Sequence, residues 1–451
     1  MQDQFSFKQF RVSDDRREVF FDYELGHNSQ TYGLTESLRF PVPLLDTPAQ
    51  QRSLRALHIA LGISYYKIFL PASMAHPYAM DEPEADFWND VWQHGLGEFL
   101  YVNKVSSDRL ARFSQQDGQT FEPPAADAQA SGALLGIGGG KDSIVAGELL
   151  KALDVPFDGF VMATGEQLGQ TGQVAETMQV PLHAVGRQLD KQLLELQTEP
   201  GAMQGHVPIS LIFGLVGTAL AVALAKRYVV VANEASASMP QVDWNDVAVN
   251  HQWSKSFGFE RSLQASIQKY IAPQVCYFSA IRQLTSVGVA KIFSNYPAYF
   301  EVFTSDNFVF RIDPAKRPAG RWSLESPKSL SSYILLAPWL DNESVQRIFG
   351  LDFLNQASLK PLFLSLMGVE GEPPLDCVGT VPELVLSLNL LAQADRYGNT
   401  VLMQLAKENC VIVQKDWQAE LAAMLELQPE QALPSELQDG VLQFLQARLA
   451  Q

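Results

Sequence analysis

The sequence predicts an α/β fold: a doubly wound parallel sheet with an N-terminal α+β domain and a C-terminal helical region. Three observations predict it. From Ala133 onward, apolar runs of strand length alternate with longer helix-like runs, the βαβα rhythm of a parallel sheet. A turn of three glycines joins the first of these strands to the first helix. After about residue 340 the strand patterns stop, and amphipathic helices with proline breaks take over.

Residues 5–40 come in short alternating runs (Phe5, Phe7, Phe10, Val12; then Val19, Phe21, Tyr23, Leu25) with a turn near Gly26-His27-Asn28. That pattern predicts antiparallel strands. Leu54, Leu57, Ile59, Leu61 and Ile63 open a helical segment that runs into Ser64-Tyr65-Tyr66-Lys67, and residues 84–103 read as an aromatic-rich helix. Residues 113–132 are polar and rich in Pro and Ala, the composition of a linker. The expected domains are therefore 1–112, the linker 113–132, the sheet domain 133–340 and the helical region 341–451. Within 133–340 the expected strands are 133–137, 157–163, 181–185 and 228–232. The expected helices lie near 143–153, 166–178 and 208–226. Ligands of such sheets sit beyond the carboxyl ends of the strands. The glycine loop, Thr164-Gly165-Glu166 and Asn233-Glu234 all follow strand ends and are expected to converge there.

Composition narrows the class. The 451 residues suffice for two or three domains and a large core. An apolar share of 47% and a charged share of 18% are those of a soluble globular protein. A net charge of −17 argues against a protein that grips nucleic acid through its phosphates. Cys276, Cys377 and Cys410 stand singly, with no disulfide framework and no Cys-x-x-Cys pair. The first residues form no apolar signal region, so a cytoplasmic location is expected. Val207 to Ala225 carries no charge, close to the ~20 residues of a membrane span. Pro208 suits a first helical turn, however, and Lys226-Arg227 leads at once into the strand pattern Tyr228 to Ala232. A buried helix, with no membrane insertion, accounts for all of it.

Residues 133–143 carry the most chemistry: an apolar strand, then Gly138, Gly139 and Gly140, then Lys141, Asp142 and Ser143. Glycines let a backbone approach an anion, and a helix N-terminus favours negative charge. One helix end contributes ~0.3–1 kcal/mol per surface charge and up to ~2 when partly buried, so further phosphate contacts must help. The pattern is not a Walker A loop: Leu135 stands where its first glycine belongs, and Asp142 separates Lys141 from Ser143. It resembles the PP-loop of the ATP pyrophosphatases, Ser-Gly-Gly-x-Asp-Ser, with Gly138 in the serine position. That resemblance implies a PP-loop (HUP-like) ATP-binding domain over 133–340 and cleavage of ATP between its α- and β-phosphates. Asp142 beside a polyphosphate suits a Mg²⁺ ligand, directly or through water, because Mg²⁺ favours oxygen. The competing reading is a plain glycine turn.

Residues 232–256 pack many polar groups behind a strand end: Asn233, Glu234 and Ser236, then Asn250-His251-Gln252-Trp253-Ser254-Lys255-Ser256. On a helix His251 and Lys255, four apart, would share a face; a solvated surface loop is the alternative. Around Arg321-Trp322-Ser323 and Ser326-Pro327-Lys328-Ser329, three serines take spacings common for cysteines in metal clusters. Hydroxyls do not replace thiolates on zinc or iron–sulfur, so no metal cluster is expected there. Arg321 and Lys328 suit carboxylate or phosphate clamps, or a structural turn with surface cations.

Taken together, the glycine loop, Ala232-Asn233-Glu234, Val249 to Ser256, Tyr296-Pro297-Ala298-Tyr299-Phe300, Trp322 with Pro327-Lys328, and Asp376-Cys377-Val378-Gly379-Thr380 resemble the UDP-N-acetylmuramoyl-L-alanyl-L-glutamate epimerases (MurL). Ser64-Tyr65-Tyr66-Lys67 extends the likeness, which covers roughly residues 50–385. The chain departs from the family pattern at Ser323, Ser326 and Ser329, where cysteines are expected. The resemblance implies ATP- and Mg²⁺-dependent inversion of the terminal L-Glu of UDP-MurNAc-L-Ala-L-Glu through an acyl-adenylate, for peptidoglycan synthesis. On that reading Gly138, Gly139, Gly140, Lys141, Ser143 and Asn233 bind ATP, and Asp142 binds Mg²⁺. Asn250, Arg321 and Lys328 bind substrate. His251 and Lys255 are the acid–base candidates, with Glu234 a further base or second Mg²⁺ ligand. A PP-loop ligase or amidotransferase adenylating another carboxylate is the first alternative, and an inactive nucleotide-binding homologue the second.

Overall fold

The computed structural model describes residues 3–115, 130–163, 168–244, 247–311 and 314–451. The loop Thr164-Gly165-Glu166 and most of the expected linker lie outside the described residues.

Three antiparallel strands open the chain: β1 (Gln4–Val12), β2 (Glu18–His27) and β3 (Gln30–Arg39). Their buried positions alternate, Phe5 and Phe7, then Val19, Phe21, Tyr23 and Leu25, as one covered face requires. Helix α1 (Pro48–Tyr66) follows, started by the Thr47 side chain, which accepts from Gln50 N–H, and by Pro48 in its first turn. Short β4 (Ser73–Ala75) and helices α2 (Glu82–Gly95) and α3 (Gly97–Asn103) complete the segment. The single helix expected over 84–103 breaks at Leu96, beside the point where Pro208 packs on Gly95.

The parallel strands come next: β5 (Ala133–Gly136), β6 (Phe157–Ala163), β7 (Leu182–Gln188) and β8 (Tyr228–Val231). Between them lie α4 (Lys141–Ala152), α5 (Leu168–Met178), α6 (Gln192–Leu196) and α7 (Ile209–Ala223). Apart from α6, which periodicity does not predict, these fall within a few residues of the expected spans. A separate hairpin, β9 (Val242–Trp244) and β10 (Val247–Val249), precedes α8 (Phe257–Ser266), β11 (Cys276–Ser279) and α9 (Ser286–Phe293).

Among the described residues the sheet has nine strands, in the order β11-β8-β5-β6-β7-β3-β2-β1-β4, and is mostly parallel. The N-terminal strands therefore extend the parallel sheet rather than forming their own. The joint is antiparallel pairing of β3 with β7, Ser37 to Gln188 through Arg39 to Gly186. Arg187 bonds Glu36 across it at 2.6 Å, and both side chains are buried. Alternation along β5 divides the core: Ala133 and Leu135 join one apolar cluster and Leu134 the other. Helices α1 and α7 belong to the Leu134 cluster, α4 and α9 to the opposite one. Helix α7 lies close on the sheet at Gly217, where a Cβ would stand 2.7 Å from Phe160 and 2.9 Å from Val229. Its uncharged run is core, as expected. No helix among the described residues is long and apolar enough to cross a membrane.

The remainder is helical: α10 (Pro327–Leu336), α11 (Asn342–Phe349), α12 (Lys360–Leu366), α13 (Val381–Gln393), α14 (Val401–Glu408), α15 (Gln418–Leu425) and α16 (Ser435–Leu449). Residues from all but α15 join the buried core of the cluster that holds α4 and α9, with α15 packed against it. This brings residues near 377 over the carboxyl end of β5.

Candidate active site

The glycine loop leaves β5 and turns into α4. Gly139 has φ +90°, a conformation open to glycine and strained for other residues. Its carbonyl accepts from Thr304 N–H at 3.0 Å. The space above Gly138 is open. Gly140 starts α4 and carries no side chain to cap it, which leaves the first-turn amides for an anion. Ser143 turns its hydroxyl back to donate to Gly140 C=O at 3.0 Å.

Lys141, Asp142, Asn233, Glu234, Lys255 and Lys328 line one cavity, together with Cys377. Three cations thus face one space in a chain of net charge −17. The buried Lys141 ammonium bonds the Asp142 carboxylate at 2.7 Å. Burial works against both charges, but the pair outweighs it: the Asp142 carboxyl is held below its usual range and the Lys141 ammonium above its own. Asn233 is anchored by its backbone, N–H to Ser279 Oγ at 2.9 Å and C=O from the same hydroxyl at 2.6 Å.

Glu234 accepts from Ser286 Oγ at 2.5 Å through Oε1, while Oε2 is buried with no hydrogen-bond partner. Burial pushes its carboxyl up to about 8. Lys141 opposes that rise, and the Asp142 and Glu383 carboxylates reinforce it. Glu383 ties the roof to the sheet. It accepts from Ser286 N–H at 2.6 Å and Ser236 Oγ at 2.8 Å, and closes a capping box with Thr380 at the start of α13.

Arg282 braces the floor. Its guanidinium donates to Glu260 Oε2 at 2.7 and 2.8 Å, to Glu234 C=O at 2.6 Å and to Lys255 C=O at 2.6 Å. Both side chains of the ion pair are fully buried. Breaking such a pair from one side costs ~3–5 kcal/mol, because a buried charge is left alone. Arg282→Ala is expected to lose about that much stability in urea unfolding and to lower activity with it, since two site segments lose their brace.

His251 and Lys255 do not share a helix. A turn and the short helical turn Trp253–Lys255 carry them ahead of α8. They converge instead on Cys377, which follows α12 in the chain. Lys255 Nζ donates to Cys377 Sγ at 3.1 Å. His251, Asp376 and Cys377 bring their polar atoms within 4.8 Å of one another. His251 Nδ1 is hydrogen-bonded to Glu98 Oε2 of α3, and the His206 ring stands 4.6 Å from the His251 ring. Burial lowers His206 to about 4.

The other sequence candidates lie differently. Asn250 shapes its own turn, donating to Ala237 C=O at 3.0 Å and accepting from Gln252 N–H at 2.7 Å. Arg321 is spent on the backbone carbonyls of Phe300, Phe303 and Ile348 at 2.8–3.2 Å, away from the cavity lining. Lys328, at the start of α10, donates to Asn307 Oδ1 at 3.2 Å. Ser323 and Ser329 surround the buried Asp306, whose Oδ2 accepts from Ser323 N–H at 2.7 Å and Ser329 Oγ at 3.0 Å. Ser326 is fully buried with no partner for its hydroxyl. None of these three serines is among the residues that line the cavity, whereas Ser331 and Ser332 of α10 line it.

Sequence reasoning missed Cys377, Glu98 and His206 as members of this arrangement. Cys377 had a signal, its place in the segment Asp376-Cys377-Val378-Gly379-Thr380 just ahead of a helix start. Glu98 and His206 had none, because a lone Glu in an aromatic helix and a lone His in a connecting segment are ordinary.

Residues 1–280 match the MurL N-terminal domain and residues 302–421 the MurL C-terminal domain. A protein of a Micromonospora species named UDP-N-acetyl-alpha-D-muramoyl-L-alanyl-L-glutamate epimerase is 33% identical over 410 residues, 88% of each chain. Relatives of the same name from Salinispora tropica and Xanthomonas oryzae pv. oryzae are each 32% identical. The first alignment spans 87% of this chain and 85% of the relative, the second 76% and 75%. No solved structure is significantly similar to the chain. Two domain matches over most of the length, and relatives sharing a third of their residues across it, establish that this chain belongs to the MurL family of epimerases and is an isomerase.

Proposed function

We propose that the enzyme inverts the terminal L-Glu of UDP-MurNAc-L-Ala-L-Glu to D-Glu in an ATP-dependent reaction through an acyl-adenylate, supplying peptidoglycan synthesis. The reading includes a cytoplasmic location, where ATP is at hand. The relatives' shared name supports the substrate. One observation carries the rest: the uncapped helix start that follows the glycine loop brings Lys141 and Asp142 into one cavity with Lys255, Lys328, Glu234 and Cys377.

The chemistry follows from charge. A free α-carboxylate resists loss of the neighbouring proton, because two negative charges would crowd together. If the carboxylate oxygen attacks the α-phosphorus and pyrophosphate leaves, one charge is gone and the carbonyl becomes an electron sink. A base then takes the Cα proton, a proton returns on the other face, and water splits the mixed anhydride into carboxylate and AMP. The glycine loop and Lys141 are the phosphate contacts of this scheme, Lys328 is a further cation for the bound substrates, and Asn233 lines the same space. Asp142, which lines the same cavity as Glu234 with its orphaned oxygen, fits a Mg²⁺ ligand; bound there, the ion would supply charge neutralisation at the phosphates. Glu234, which burial keeps protonated near neutrality, suits a proton donor.

ATP is expected to give AMP and pyrophosphate and no ADP, since the loop lacks Walker A spacing. Nucleotide chromatography after one turnover checks this, and ADP as the main product rules the reading out.

A further inference from the structure

Proton removal from Cα needs a group that holds a free electron pair, and the two residues picked out by sequence do not offer one. Lys255 points its ammonium at Cys377 Sγ, 3.1 Å away. Burial lowers the affinity of Lys255 for its proton, but Cys377 outweighs it and the net shift is upward. His251 is pinned through Nδ1 to Glu98. Burial works against its charge as well, and Cys377 and Glu98 together hold it at about 9. Both candidates therefore keep their protons near neutral pH.

The thiol between them behaves oppositely. Burial raises a thiol, yet Lys255, His251 and Lys328 outweigh it and hold Cys377 at about 6. The other charged group at hand, Asp376, is occupied: its Oδ1 accepts Cys377 N–H at 2.7 Å and Asn307 Nδ2 at 3.0 Å. His206 faces the same Glu98 from behind His251, 3.7 Å from its carboxylate. Cys377 also lines the cavity with the glycine-loop residues Lys141 and Asp142, so its sulfur and the phosphate site share one space.

We propose that Cys377 is the catalytic base on one face of the glutamyl Cα, with Lys255 and the Glu98–His251 pair as its positioning residues. The proposal rests on the adenylation reading above. In the step, Sγ takes the Cα proton and becomes S–H. The C–H electron pair moves into the carbonyl of the mixed anhydride. A proton from a second donor closes the opposite face, and the thiol returns its own proton to solvent. The chain carries internal controls. Cys276 lies in β11 against Gln264, where burial pushes it up to about 11, and Cys410 is exposed.

Two measurements test this. The first needs no nucleotide: the folded protein is treated with iodoacetamide across pH, and each cysteine is followed by mass spectrometry. Cys377 should react faster than Cys276 near pH 7, with a midpoint near pH 6. Lys255→Met should move that midpoint to higher pH, and alkylation at a fixed pH below it should slow about threefold for every pH unit the midpoint climbs, a roughly tenfold smaller thiolate fraction being partly offset by a more nucleophilic sulfur. Cys377 reacting no faster than Cys276 overturns the proposal. The second measures two rates with ATP, Mg²⁺ and UDP-MurNAc-L-Ala-L-Glu in D₂O: substrate-dependent pyrophosphate exchange and deuterium entry at Cα. In Cys377→Ala and Cys377→Ser, deuterium entry should fall by about 10²–10⁴-fold and exchange by far less. Wild-type deuterium entry in a folded variant overturns it, as does equal loss of both rates. A glutamyl adduct on Cys377 after acid quench also overturns it, making the sulfur a nucleophile. Should both variants fail to fold, the wild type alkylated at Cys377 serves in their place. Absence of pyrophosphate exchange in the wild type refutes adenylation instead, and the alkylation result still decides whether Cys377 is the thiolate.

Discussion

Asp142→Asn should abolish ATP turnover and leave the fold standing. Asp142 sits in the first turn of α4, and its side chain is one-third exposed to the cavity. Its bond is to the neighbouring Lys141 rather than to the core. Asn keeps the size and removes the charge. A cation site beside the phosphates would then lose its ligand, and Lys141 would lose the carboxylate that orients it. Removing one preorganised electrostatic group of this kind typically costs about 10²–10³ in rate, and loss of the metal adds to that. The check is pyrophosphate release by a variant whose circular dichroism and melting temperature match the parent. Release at the wild-type rate would sink the assignment of Asp142.

The second large effect concerns the proton. In D₂O the inverted product should carry deuterium at Cα when the base exchanges with solvent. His251→Ala and Lys255→Ala should each lower deuterium entry by about 10²–10⁴-fold. Pyrophosphate exchange should fall less, because adenylation precedes proton removal. The structure supplies the reason the two act alike despite different chemistry: both place positive charge on Cys377. If both variants incorporate deuterium like the wild type, proton transfer lies elsewhere in the cavity, with Glu234 and Lys328 the next candidates. If the wild type consumes ATP but never incorporates deuterium, a ligase or amidotransferase becomes the better reading.

The glycine loop was legible in the sequence because its signal is local. Strand, three glycines, Lys-Asp-Ser and helix lie within about twenty residues, and backbone geometry follows from that order. The same holds for the spans of β5 to β8 and for α7, whose apolar run matches a helix between sheet and outer layer. Asn233 and Glu234 were legible as residues following a strand end. The helix placing His251 and Lys255 on one face was not realised, since the turn built by Asn250 and Gln252 precedes α8 there.

Sequence by itself thus determined the mixed α/β class, the glycine turn between strand and helix, and the family. Only the tertiary structure decided that the N-terminal strands join the parallel sheet, because pairing of β3 with β7 links residues about 150 apart and leaves no mark in either strand's own pattern. Only it decided that Arg321 serves backbone carbonyls while Lys328 reaches the cavity, though the two stand seven apart. And only it brought Cys377 to Lys255 across 122 residues. A thiol has no fixed chemistry in the sequence. Whether it is inert or ionised depends on which charges the fold packs around it, and those charges come from α3, the segment before α8 and the start of α10.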